Sequence, residues 1–252
     1  MKPVFVSGLG LWAPGHRNAQ AFAQRQADPA VTAPTGALLA PGIRRRASTL
    51  TRAAADAFAE AAQQGGADLA TVPTVYTSAY GEIVTTIEML VQMATEPEGL
   101  PSPTRFHNSV HNTSAGYVAI ATRNQSFSTS LAGGPHSFAF GMVETSAWLA
   151  EHAGEAILVA LDEPPPAPFA PRAAWSAFAA AFHLTAERRP QSRARLSGLR
   201  QASVPGAVPE PFSAHPCACA LLLLDAVAGA QAGPVALSLT GQADWAVDVE
   251  PL

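Results

Sequence analysis

The chain has 252 residues, of which 48% are hydrophobic and only 13% are charged, and its formal net charge is −4. The low charge and high apolar content exclude an intrinsically disordered chain, and the acidic balance argues against a nucleic-acid-binding protein. We expect no membrane span, because no apolar stretch reaches about 18 residues. The first residues lack a basic segment followed by an apolar core, so we expect no signal peptide and a cytoplasmic location.

Strand and helix patterns alternate along the first two thirds of the chain. Residues 3–11 are β-branched and glycine-rich, which predicts a buried strand and a turn at its glycines. Residues 51–64 are rich in alanine and stop at Gly65-Gly66, which predicts a helix. The elements predicted next are strand 74–79, helix 82–94, helix 112–123, strand 127–130, helix 134–152 and strand 155–161.

The pattern changes after residue 161. Residues 162–211 are rich in proline and arginine, and they are predicted to be a flexible insertion with a short helix within 173–184. Two strands are predicted beyond it, at 217–224 and 235–240. Strands that alternate with helices predict a single α/β domain over residues 1–252, with a mixed, mostly parallel sheet between helices.

Several residue patterns could carry chemistry, but each is incomplete. His107 and His111 are four residues apart, yet no third ligand completes a metal site. Cys217 and Cys219 lie in an apolar run without the spacing of a zinc site, which favours core cysteines. The glycines after the first strand do not have the spacing of a dinucleotide-binding loop. We therefore expect neither a metal nor a cofactor.

Two functions remain open on the residues alone. Ser130, Cys217 or Cys219 could act as a nucleophile with His136 or His215 as base, in a hydrolase or an acyltransferase. Alternatively, the chain could be a homodimeric small-molecule-binding protein. The basic triplet Arg44, Arg45 and Arg46 is either a solvated surface or a docking patch for an acidic partner.

Five separated segments resemble the β-ketoacyl synthases, in family order. Residues 102–106 and 108–116, SPTRF and NSVHNTSAG, are similar to the family segment SPTxFxNSVHNxxAG. The segment 128–136, STSLAGGPH, resembles the strand-to-helix turn that carries the family's nucleophile. The other segments are the opening VFVSGLGLWAPG, the stretch that follows Arg44, and a weaker match over 215–240.

The resemblance implies half of a thiolase-type fold without the family's catalytic apparatus. Leu131 takes the place of the nucleophilic cysteine, and a leucine cannot hold an acyl chain covalently. The family's catalytic histidines come from a second half, which has no matching motif here. The resemblance therefore implies a chain-length factor of the aryl polyene or xanthomonadin type, a non-catalytic subunit that pairs with a full-length β-ketoacyl synthase.

The resemblance also assigns residues to roles. The heterodimer contact would use residues 127–131 and 112–123, and an acyl carrier protein would reach the complex through Arg44, Arg45 and Arg46. The side chains expected to line the partner's acyl tunnel or the interface are Phe106, His107, Ser109, His111, Asn112, Tyr117, Phe127, Ser130 and Leu131.

Overall fold

A computed structural model describes residues 2–96, 99–171 and 173–252. The strands are β1 (Val4–Trp12), β2 (Thr74–Thr77), β3 (Ser128–Leu131), β4 (Glu155–Asp162), β5 (Phe178–Thr185), β6 (Ala194–Gln201), β7 (Gly233–Ala236) and β8 (Trp245–Pro251). The helices are α1 (Ala19–Ala23), α2 (Pro41–Arg44), α3 (Thr49–Gly65), α4 (Ile83–Thr95), α5 (Pro103–Asn108), α6 (Thr113–Thr122), α7 (Ser137–His152) and α8 (Cys219–Ala228). A 3-10 turn, Gly134–His136, precedes α7.

The eight strands form one sheet in the order β3-β2-β4-β5-β1-β6-β8-β7. Strand β2 runs parallel to β3 and β4, whereas the other neighbouring pairs are antiparallel. The sheet is mixed, as predicted, but the prediction that it is mostly parallel is wrong. A parallel neighbour needs a crossover, usually a helix, and the proline-rich segment between β4 and β5 supplies none. Strand β5 therefore returns directly alongside β4.

Helix α3 packs so closely on β1 that only glycine fits at the contact. A Cβ atom built on Gly10 would lie 1.9 Å from the carbonyl oxygen of Ala57, and one on Gly8 would lie 2.1 Å from that of Ala61. Both glycines lie inside β1, so the turn predicted at this point is wrong. Alanines on α3 form the other side of this contact, and they pack with Phe58 and Leu50 into one of the two cores.

The prediction of an insertion over residues 162–211 is wrong. The segment contains β6 and also β5, which lies between β4 and β1 in the middle of the sheet. Every residue of β5 is buried, including those in the region predicted as a short helix. Residues 217–224, predicted as a strand, belong mostly to α8. Residue 172 lies outside the described residues.

The two edges of the sheet are four-residue strands, β3 on one side and β7 on the other. Strand β3 contains no proline, whereas β7 contains Pro234. The amide of Leu237, just after β7, donates to the carbonyl of Trp245. Because amide directions alternate along a strand, the position of Pro234 faces away from β8. In the part of the chain that is described, no helix is long and apolar enough to cross a membrane.

Candidate functional site

Leu131 ends the edge strand β3, opposite Thr77 of β2. Its side chain packs against the core that contains Phe138 of α7. Ser130 is paired with Tyr76, which belongs to the other core, so these two neighbours on β3 face opposite sides of the sheet. Ser130 therefore does not take the place of Leu131. Its buried hydroxyl has no hydrogen-bond partner among the described residues.

The turn after Leu131 is closed by its own hydrogen bonds. The amide of Gly133 donates to the hydroxyl of Ser137 at 3.0 Å, and that hydroxyl donates to the carbonyl of Gly134 at 2.7 Å. Helix α7 begins only at Ser137, beyond the 3-10 turn. His136 stacks on Phe140 at 5.9 Å instead of facing a hydroxyl or a thiol. The arrangement does not activate a nucleophile at this turn.

The outer edge of β3 is flanked by aromatic side chains. Phe127 precedes the strand and is 40% exposed. Its ring stacks on Trp148 of α7 at 5.7 Å, and Trp148 stacks on His152 at 4.7 Å. Within the described ranges, β3 pairs with β2 alone, so its other side presents unpaired backbone groups next to this aromatic stack.

Helix α6 carries an exposed stripe of its own. Tyr117 and Val118 are buried, whereas Gly116 is half-buried and Ile120 is 61% exposed. Asn112, just before the helix, is exposed on the same side. The spacing of 112, 116 and 120 follows one face of a helix, so the stripe is continuous.

Helix α4 and the segment around α5 expose a second apolar surface. Only Ile87 and Met89 of α4 are buried. Phe106 of α5 is 60% exposed. The large apolar side chains exposed here are Leu90, Val91, Met93, Leu100, Phe106 and Val110. An exposed apolar patch of this kind on a protein surface typically marks a contact with another molecule.

Ser109 and Thr86 hold α4 and α5 together. The hydroxyl of Thr86 donates to the carbonyl of Ser109 at 3.0 Å, and the hydroxyl of Ser109 donates to the carbonyl of Phe106 at 2.8 Å. Ser109 therefore serves the chain's own structure. Phe106, in contrast, is held by its backbone while its ring remains in solvent.

Asn108 links three elements and was not singled out from the sequence. Its amide group donates to the carbonyl of Arg46 at 2.7 Å, and its carbonyl oxygen accepts from the hydroxyl of Tyr117 at 2.8 Å. The ring of His107 packs edge-on against Tyr117, with the centroids 5.8 Å apart. His107 and Tyr117 thus face inward, toward α2, and not toward β3.

A pocket of about 590 Å³ lies between α2, α5 and α6. We call it the α2–α6 pocket. Its walls are mostly apolar and include Ile43, Arg46, Pro103, His107, Tyr117 and Ile120. Arg44 is half-buried and Arg45 and Arg46 are exposed. No salt bridge involves these three arginines in the described segments.

His111 lies beside the loop that follows β2. Its Nε2 is 3.0 Å from the carbonyl oxygen of Ser78, so this nitrogen donates. The carboxylate of Asp162, at the end of β4, accepts from the hydroxyl of Ser78 at 2.6 Å and from the amides of Ala79 and Tyr80. Burial nevertheless raises the pKa of Asp162 to about 6. The group orders the loop that leads into α4.

Two further carboxyl groups are buried near this loop, and sequence reasoning missed both. Glu82 accepts from the hydroxyls of Thr51, Ser48 and Ser114 through one oxygen. Burial raises the pKa of Glu82, and burial followed by repulsion from Glu82 raises the pKa of Glu163 to about 8. A signal existed, because Asp162 ends the strand β4, Glu163 follows it directly and Glu82 lies five residues after the end of β2. Across the described residues, no group of three side chains could hold a metal ion.

The cysteines are not arranged as nucleophiles. The Nδ1 atom of His215 accepts from the amide of Cys217, and its Nε2 donates to the carbonyl of Asp162. Burial lowers the pKa of His215 to about 3. Burial and the carboxylate of Asp162, 3.6 Å from the thiol, raise the pKa of Cys217 well above its usual value. Burial likewise raises the pKa of Cys219 to about 12. Both thiols are therefore poor nucleophiles.

Comparisons with known proteins identify the architecture. The model of the β-ketoacyl synthase N-terminal domain matches residues 15–237. The search of curated proteins finds no match. The chain is similar to a chain of the ketosynthase (ApeO) in complex with its chain length factor (ApeC) from Xenorhabdus doucetiae. That match has a TM-score of 0.71 and 20% identity, over 98% of this chain and 100% of the other.

Two more solved structures give the same fold. A chain of the ishigamide ketosynthase/chain length factor has a TM-score of 0.74 at 16% identity, over 99% of both chains. A chain of the AntDE:AntF complex, a type II polyketide synthase carrier protein with its ketosynthase, has a TM-score of 0.79 at 11% identity, over 100% of this chain and 99% of the other. The thiolase-type α/β fold predicted from the sequence is thus confirmed.

Proposed function

The chain belongs to the β-ketoacyl synthase N-terminal domain family, and from this premise we propose that it is a chain-length factor of the aryl polyene or xanthomonadin type. It pairs with an active, full-length β-ketoacyl synthase and shapes the acyl tunnel of that partner during chain elongation. The partner carries out the condensation, and an acyl carrier protein delivers the chain to the complex.

The observation that carries this proposal is Leu131 at the end of a free strand edge. A leucine at this point has no atom that can take an acyl group. The turn that follows has no histidine directed at it, since His136 stacks on Phe140. A chain that retains the fold while lacking a nucleophile is suited to a structural role beside an active subunit.

The exposed surfaces support pairing. The free edge of β3 and the stripe on α6 carry no charged side chain, whereas the surface around α4 and α5 carries an exposed ion pair between Arg105 and Glu88. Obligate interfaces bury about 2,000–5,000 Å² and are more apolar than ordinary surfaces. The structural neighbours include ketosynthases in complex with chain length factors, which supports a heterodimer over a homodimer.

Among the side chains expected at the tunnel, Phe106 and Phe127 are the best placed. Both are exposed, so both can enter a cavity of the partner. His107 and Tyr117 line a pocket within this chain, and His111 is tied to Ser78, so we assign these three to the support of α5 and α6. The half-buried Arg44 and the exposed Arg45 and Arg46 provide a positive surface for an acidic carrier protein.

Co-expression with the ketosynthase of the same gene cluster tests the proposal. Native mass spectrometry is expected to detect a 1:1 complex, and Phe106→Ala in that complex is expected to lengthen the products. If this chain forms a stable homodimer and does not bind the ketosynthase, the proposal is contradicted and the homodimeric binding protein is favoured. Acylation of this chain by a carrier-bound substrate would contradict its non-catalytic role.

A further inference from the structure

We propose that the α2–α6 pocket binds a free apolar monocarboxylate, such as a medium-chain fatty acid, with the carboxylate on Arg46 and the chain inside the pocket. This inference goes beyond the proposed function, which concerns the tunnel of the partner. The volume of about 590 Å³ lies within the range of small-molecule sites, about 300–1,000 Å³.

The positive charge beside the pocket favours an anionic ligand. Arg46 lines the pocket, and no aspartate or glutamate is among the described residues of its lining. Arg44 and Arg45 precede it, and none of the three is engaged in a salt bridge within the described residues. A guanidinium group binds a carboxylate through two parallel hydrogen bonds. One end of the pocket is therefore basic, although the whole chain carries a net charge of −4.

The apolar walls favour a ligand that carries a hydrocarbon chain next to its carboxylate. Ile43, Pro103 and Ile120 contribute aliphatic surface. Tyr117 presents its ring, because its hydroxyl is already donated to Asn108. The same asparagine donates to the carbonyl of Arg46 and so fixes the backbone from which the guanidinium extends. A site whose walls and backbone are held in place loses less entropy on binding.

Calorimetric titration of the full chain with octanoate, decanoate and dodecanoate, below their micellar concentrations, tests the proposal. We expect one site whose affinity increases roughly fourfold with each methylene group. Arg46→Ala is expected to weaken binding of decanoate at least about tenfold. Arg45→Ala removes the same charge one residue earlier, outside the pocket lining, and is expected to leave the affinity nearly unchanged.

A second variant fills the pocket without disturbing the fold. A Cβ atom on Gly42 of α2 meets no heavy atom within 4 Å, and Gly42 lines the pocket. Gly42→Leu is expected to keep the thermal midpoint within a few degrees and to abolish binding. If Gly42→Leu still binds decanoate with unchanged affinity, or if decanol binds as tightly as decanoate, the proposal is wrong.

Titration of the 1:1 complex separates this proposal from the proposed function. Binding to the isolated chain that is lost in the complex would support the site and would show that the partner covers it when the heterodimer forms. Binding that persists while no complex forms would support the site and refute the heterodimer. Failure of all three carboxylates to bind would refute the site alone.

Discussion

Gly116, at the centre of the exposed stripe on α6, offers a direct test of the proposed interface. A Cβ atom built on Gly116 meets no heavy atom within 4 Å, so any side chain there points into open space in the isolated chain. Glycine in a helix costs about 0.5–1 kcal/mol relative to alanine, and arginine is nearly as favourable as alanine. Gly116→Arg is therefore expected to raise the free energy of unfolding of the isolated chain by about 0.5–1 kcal/mol.

The same substitution is expected to break the heterodimer. In the proposed complex α6 is covered, and a buried guanidinium without a partner costs about 3 kcal/mol or more. This corresponds to at least about a hundredfold increase in the dissociation constant. Thermal unfolding of the isolated chain and native mass spectrometry with the ketosynthase measure the two effects separately.

Gly116→Ala is the matched control. It is expected to stabilise the chain by a similar amount while leaving the complex intact, because a methyl group adds little to the contact. If the Gly116→Arg chain is stable and binds the ketosynthase with unchanged affinity, α6 is not part of the interface. A Gly116→Arg chain that unfolds would refute the reasoning about open space.

Three further predictions concern the site and the core. Leu131→Cys is expected not to become acylated by acyl carrier protein substrates, because nothing at the turn lowers the pKa of the new thiol; a covalent adduct in intact-mass spectra would disprove this. Gly10→Ala is expected to lose about 2 kcal/mol or more in urea unfolding, since its methyl group would meet the backbone of α3, and an unchanged midpoint would contradict the close contact. Glu163 keeps its proton in the folded chain up to about pH 8 but loses it near pH 4.3 when unfolded, so its burial destabilises the chain progressively as the pH rises through this range. Glu163→Gln is expected to match the parent in urea unfolding at pH 4 and to exceed it by about 4–5 kcal/mol at pH 8; equal stabilities at pH 8 would refute the assignment.

The strands near the site were predictable because each has a distinct sequence pattern. Strands β2, β3 and β4 all lie within one to three residues of their predicted positions, and the motif around Leu131 fixed which of them ends at the site. Ser130 and Leu131 are neighbours on β3, so their side chains point to opposite faces of the sheet, as the pairing of β3 with β2 shows. Side chains alternate between the two faces of a strand because of the local backbone geometry, so this orientation can be predicted from the sequence.

The last third of the fold could not be predicted in the same way. The segments FAAAFHLT of β5 and CALLLLDAVA of α8 are both mostly apolar and mostly buried. A run that is buried on every side has no periodicity to separate a strand from a helix, and the surroundings decide between them. The buried acids Glu82 and Glu163 were missed because their burial depends on distant residues: the hydroxyls that donate hydrogen bonds to Glu82 come from α3 and α6, far away in the sequence.

The difference between the two edges of the sheet limits how many copies of the chain can associate by pairing their edge strands. At β7, Pro234 removes one of the outward N–H groups that a new strand would need, so that edge is a poor template. Strand β3 keeps its donors but is only four residues long and is followed at once by a turn. A sheet that can be extended at one end only, and over one short strand, reaches its final size after a single addition. Growth into a filament needs two adhesive edges, so the proline in β7 opposes it while β3 still allows a pair to form.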